Sequence, residues 1–164
     1  MKQKITPFLW FDKNAEEAIN FYVSIFKNSK IVSIKRYPKG PLEGPMKGME
    51  GKVLTALFQL EGQQFLALDG GPFFKPTGAV SFYVECKTQD EVDYYWSKLT
   101  KGGEPKAQQC GWLMDKYGFS WQVIPKALPE LLNDPDKEKA DRVMQAMLKM
   151  KKIDIAGLRK AYKS

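Results

Sequence analysis

The feature that most constrains this chain is a repeated order of secondary structure. A strand, a capped helix and three further strands are read twice, roughly 75 residues apart, within 164 residues. Duplication of this kind limits the architecture to two similar modules, whatever the details of each. In the first copy, residues 5–11 (ITPFLWF) are rich in aromatic and branched side chains, as a strand requires. Asn14 with Glu17 three positions later forms a capping-box pattern. A helix is predicted over 15–26, with Ala18, Phe21, Tyr22, Ile25 and Phe26 on one face. Strands follow at 30–37, 53–60 and 64–68, the last two joined by a turn at Glu61-Gly62-Gln63. Between them, the Pro/Gly-rich stretch 38–52 is a long loop, a type often functional or mobile.

The second copy begins with a strand at 79–86. Thr88 and Glu91 repeat the capping pattern, and a helix over 89–99 presents Val92, Tyr95, Trp96 and Leu99 on one face. Strands are expected near 106–109, at 111–115 and at 119–124, with a turn at Lys116-Tyr117-Gly118. Beyond Pro125 the pattern changes to helices at 128–132, 136–151 and 153–162. Met144, Met147, Leu148 and Lys151 form an amphipathic stripe on the middle one, read as a packing face rather than a calmodulin-type partner helix. The expected division is 1–75, 76–125 and a basic helical extension at 126–164.

Composition excludes several classes of chemistry. Hydrophobic residues make up 43% of the chain and charged residues 27%, an ordinary globular balance. No apolar stretch approaches a membrane span, and MKQKITPFLWFDKN turns polar too early for a signal peptide, so a cytoplasmic location is expected. Cys86 and Cys110 lack metal or disulfide spacing and read as reduced thiols. The net charge of +7 is spread along the chain, with a denser tract at Lys149, Lys151 and Lys152. It is the sole footprint for nucleic acid, which is therefore disfavoured as a partner. The count that matters most is zero histidines. Histidine-based catalytic dyads, triads and metal centres are excluded for the chain acting alone.

Four segments resemble the PhnB-like, 3-demethylubiquinone-9 3-methyltransferase-like branch of the vicinal oxygen chelate (glyoxalase/bleomycin resistance/dioxygenase) superfamily. They are ITPFLWFDKNAEEAINFYVSIF, LALDGGPFF, SFYVECKTQDEVDYYWSKL and GWLMDKYGFSWQVIP, in the expected order over about residues 3–125. The resemblance implies an α+β fold: tandem β-α-β-β-β modules, glyoxalase-like, whose curved sheets enclose a cup, followed here by C-terminal helices. It also implies a homodimer. The methyltransferase name implies a nucleotide-bearing cofactor, yet the Gly-rich strand-to-helix turn of such a site, G-x-G-x-x-G, does not occur. Metal-dependent members hold a divalent ion with His and Glu on inward strand positions. Aligned with those motifs, the His positions fall on Thr6 and Ser81 and the Glu position on Gln122, with Asp69 the nearest acidic candidate for the remaining one. Neutral oxygen donors of this kind do not make a catalytic transition-metal site, so no metal and no cofactor are expected.

If Thr6 and Ser81 face the cup, alternation brings Phe8, Trp10, Tyr83, Glu85, Ser120, Gln122 and Ile124 to the same side. Ile5, Leu9, Phe11, Val84 and Cys86 then face the helices. The expected ligand set is Thr6, Phe8, Trp10, Ser81, Tyr83, Glu85, Trp112 and Gln122, an aromatic wall with a few polar groups suited to a small, planar or partly apolar ligand. Core packing is the competing role for each aromatic. Catalytic candidates are Glu85, Tyr83 and Asp69, as acids or bases. The functional expectation is a small-molecule binding protein that lacks the usual metal ligands. The alternatives are an enzyme using carboxylate or tyrosine in the cup, methyltransferase-like or lyase/dioxygenase-type, and a nucleic-acid-associated protein using its basic tail.

Overall fold

A computed structural model describes residues 3–164. The chain divides into two compact units, residues 1–76 and 77–164.

The first unit contains β1 (Phe8–Phe11), α1 (Ala15–Ile25), β2 (Lys30–Arg36), β3 (Val53–Leu60) and β4 (Gln63–Asp69). Its sheet has the order β1-β4-β3-β2, with β1 and β4 parallel and the other pairs antiparallel. This is the expected β-α-β-β-β module. Strand alternation puts Leu9, Phe11, Ala56, Phe58, Phe65 and Ala67 on one face, all buried, with α1 packed on β3 and β4. Phe8, Trp10, Leu57, Leu66 and Leu68 lie on the other face, half-buried or exposed.

Two local expectations are corrected here. Asn14 does not cap α1 with its side chain. Instead the Ala15 N–H donates to Asp69 Oδ1 at 2.8 Å, so a carboxylate distant in sequence satisfies the helix start. Ile5 does not face the helix: β1 begins only at Phe8, the chain bends at residues 4–5, and Ile5 is 86% exposed. The alternation that assigned Ile5 and Thr6 to faces therefore does not reach them. The long loop is tied down from within. Glu50 Oε1 accepts the N–H groups of Leu42 and Gly48, and Met49 is buried beside it.

The second unit contains β5 (Ser81–Cys86), α2 (Gln89–Leu99), β6 (Trp112–Met114), β7 (Ser120–Pro125), α3 (Ala127–Leu132), α4 (Lys137–Met147) and α5 (Ile155–Lys163). Its sheet has three strands in the order β5-β7-β6. Thr88 caps α2 as expected by accepting the Glu91 N–H, while the Glu91 carboxylate reaches back to the Lys87 N–H. The strand expected near 106–109 is absent. Pro105 starts a short 3-10 turn there, with Glu104 capping the Lys106 N–H. Gln109 then folds back on Trp112, exchanging both backbone hydrogen bonds across Cys110 and Gly111, whose φ values are 51° and 84°. The chain turns straight into β6 and leaves no room for a strand beside it.

The three C-terminal helices belong to this second unit. Leu128, Val143, Ile153 and Leu158 form a buried cluster around Ile124 of β7. Burial of this many aliphatic side chains, at about 1.5–3 kcal/mol each, is what holds short helices together. Among the described residues no helix is long and apolar enough to cross a membrane.

Candidate functional site

The second unit carries the better-defined candidate face. Pairing of β5 with β7 aligns Ser81 with Ser120, Tyr83 with Gln122 and Glu85 with Ile124. Pairing of β6 with β7 sets Trp112 opposite Gln122. One row across the sheet is therefore Tyr83, Gln122 and Trp112, on the face opposite Phe82, Trp121 and Val123. Tyr83 is 53% exposed and Trp112 38% exposed, an unusual state for two large rings flanking one amide. Gln122 Nε2 donates to Ser81 Oγ at 2.8 Å. The two residues that the motif resemblance sets at metal-ligand positions in this unit are thus hydrogen-bonded to one another.

Their chemistry can be tested against a divalent metal. A hydroxyl and an amide carry no charge, so the pair does not fit the ligand set a catalytic transition metal requires. Among the described residues, no three His, Cys, Asp or Glu side chains come together to hold a metal ion.

Glu85 lies on the same face and is exposed. Desolvation holds the Tyr83 phenol above its ordinary value, and the negative charge of Glu85 pushes it the same way. The phenol is therefore a protonated donor at neutral pH. Cys86 points to the other face, fully buried, and its thiol is pushed up to about 12, first by desolvation and then by the charges of Glu91 and Glu85. A thiol in that state is a poor nucleophile.

The remaining expected residues belong to the first unit. Trp10 is fastened there: its indole N–H donates to the Gly71 carbonyl at 2.8 Å and its ring meets Phe74 edge-on at 4.9 Å. A Cβ at Gly70 would run into the Trp10 ring, so only glycine lets the indole lie against this backbone. Phe8 is exposed on the same side of the sheet, and Thr6 precedes the strand, half-buried. Asp69 is buried with one oxygen on the Ala15 N–H and the other on the Val53 N–H at 2.9 Å. Both oxygens serve the backbone, which is a structural use of a residue considered above as an acid or base.

Two features escaped the sequence reading. Asp115 is buried and organises the β6–β7 turn. It accepts the N–H groups of Tyr117 and Phe119 with one oxygen and the Trp121 indole N–H at 2.8 Å with the other. The spacing D-x-x-G before a strand was the available signal. Ile124, expected on the open side, is covered by the C-terminal helices. On α5, Arg159, Lys160 and Lys163 line an open groove with Ala156 and Ser164.

Comparison with known proteins follows the same division. A family model described as 3-demethylubiquinone-9 3-methyltransferase matches residues 3–124 and leaves α3–α5 outside the match. The PhnB protein of Bacillus cereus is 46% identical, with a TM-score of 0.63, over 73% of this chain and 97% of its own. Protein PA1353 of Pseudomonas aeruginosa, 19% identical, shares the fold with a TM-score of 0.58 over 73% of this chain and 95% of its own. The fosfomycin resistance protein FosX of Listeria monocytogenes, solved with Mn(II) and sulfate, is 15% identical, with a TM-score of 0.48, over 74% of this chain and 87% of its own. No curated protein matches.

Proposed function

The chain belongs to the 3-demethylubiquinone-9 3-methyltransferase family, the PhnB-like branch of the vicinal oxygen chelate superfamily, and from that premise we propose that it is a metal-independent small-molecule binding protein. The ligand lies on the open face of the β5-β7-β6 sheet. The observation that carries this reading is the hydrogen bond from Gln122, which the exposed rings of Tyr83 and Trp112 flank, to Ser81 in the neighbouring row. The rings offer stacking surface to a planar ligand, and the amide, hydroxyl and protonated phenol offer donors and acceptors that fix its orientation. Neutral residues stand where a metal-dependent member needs ligands, so the binding energy comes from apolar area and hydrogen bonds. Methyl transfer in the nucleotide-cofactor manner is not part of this reading: both sheets mix parallel and antiparallel pairs and carry no doubly wound parallel core.

A second reading, proton transfer by Tyr83 on a bound ligand, has the exposed position of the ring beside Glu85 in its favour, while its raised phenol pKa works against the step near neutral pH. Self-association as a homodimer accompanies the first reading, supported by the exposed Phe8, Phe73 and Phe74 of the first unit, and sedimentation analysis tests it. The decisive binding test is calorimetric titration of metal-stripped protein with 2-naphthol, a planar phenol. Saturable binding that weakens about tenfold or more in Trp112→Ala is expected. Binding that depends on added Mn(II) would contradict the proposal.

A further inference from the structure

The second sheet's open face is not open along its whole length. At the row of Tyr83, Gln122 and Trp112 the side chains are accessible, but one step further along β7 Ile124 is only 6% exposed. What covers it is the helical segment beyond the family match, through Leu128, Val143, Ile153 and Leu158. The attachment is specific. The Cys110 and Gly111 N–H groups donate to the carbonyls of Met150 and Lys151 at 2.8 and 2.7 Å. Gln89 binds both sides of the same segment, donating to the Ile153 carbonyl and accepting from the Ile155 N–H. Gln109 donates to the Leu148 carbonyl, and Lys152 pairs with Asp93 at 2.6 Å. Gly111 is the contact point: a Cβ there would lie 2.5 Å from Ile124 Cδ1 and 3.1 Å from Ile153 Cγ1. These bonds come from the turn before β6 and from α2, so the segment 148–155 is fastened at one end of the sheet.

We infer that this helical extension, docked on Ile124, is the end wall of the ligand face and sets the length of ligand the protein accepts. The ligand class that follows is a planar aromatic head with a short apolar substituent directed along β7 toward Ile124. The inference rests on the proposed ligand face and adds its boundary.

The test is calorimetric titration with 4-alkylphenols, from methyl to octyl, against the full-length protein and against Ile124→Ala and Ile124→Val. In the unsubstituted protein each added methylene strengthens binding about three- to fourfold until the wall is met, and then the gain stops. In Ile124→Ala, which opens space under the helices of the end wall, the stopping point moves to a longer chain. Ile124→Val, which removes one methyl group and keeps the cluster filled, shows the smaller shift if the alanine variant does not fold. The same stopping point in all three proteins overturns the end wall and leaves the ligand face standing. Absence of binding by every member, or binding insensitive to Trp112→Ala, overturns the ligand face itself and the wall with it.

Discussion

The two units start from one pattern and complete it differently. The first forms all four strands. The second stops at three, because Pro105 and the turn at Cys110-Gly111 consume the segment that would have become the fourth. It recruits three helices instead, packed around Ile124. Each unit also buries one carboxylate, and again the use differs. Asp69 joins a helix start to a strand start. Asp115 shapes a turn and holds the Trp121 indole on the helix side of its sheet. A repeat in sequence thus fixes which elements occur, while the way each sheet ends is decided by a few turn residues.

This contrast can be broken most strongly at the carboxylates. Asp115→Ala leaves three donors without their acceptor and should cost about 4 kcal/mol; Asp69→Ala, with two donors, should cost about 3 kcal/mol. Hydrogen exchange reads the location. Protection should fall in the β6–β7 turn for the first variant, and at the start of α1 and of β3 for the second. Loss of protection across both units from either variant would show that the two are not separate in stability.

A smaller effect sharpens the account of the first unit. Gly70→Ala forces the Trp10 ring away from its backbone and should destabilise the protein by about 2 kcal/mol, with a shift in tryptophan emission. An unchanged spectrum would mean that the indole does not rest on that glycine.

The smallest effect at neutral pH concerns Cys86. Cys86→Ala should cost about 1 kcal/mol there. The native thiol's raised pKa adds a pH dependence: its stabilising contribution is full below about 9, where the unfolded thiol ionises, and is lost as pH rises toward about 12. The variant's stability should therefore fall less steeply across that alkaline range in chemical denaturation. An identical alkaline slope would place the thiol in a better-solvated site.

Much of this fold was legible because period and capping are local. The bounds of β3 and α2 were read directly from alternation and from Thr88, and the α+β duplication from the order of elements. Asn14 misled because its competitor for the helix N-terminus, Asp69, lies 54 residues away. The missing strand misled because the repeat of the first module calls for one near 106–109, while left-handed backbone at Cys110, a non-glycine residue, gives almost no sequence signal. At the site, alternation correctly brought Ser81 and Gln122 to one face with Tyr83. It could not foresee that Ile124 on that same face would be covered, because most of the covering residues come from a segment about 20 to 35 positions later whose docking depends on tertiary packing.

On the proposed function, the open face of the second sheet binds a planar ligand without a metal. Amide and side-chain chemical shifts of metal-stripped protein titrated with 2-naphthol test it most directly. The account predicts saturable shifts concentrated at Ser81, Tyr83, Trp112 and Gln122 before any metal is added. Shifts that are absent until Mn(II) is supplied, or that fall on residues outside this face, would contradict it.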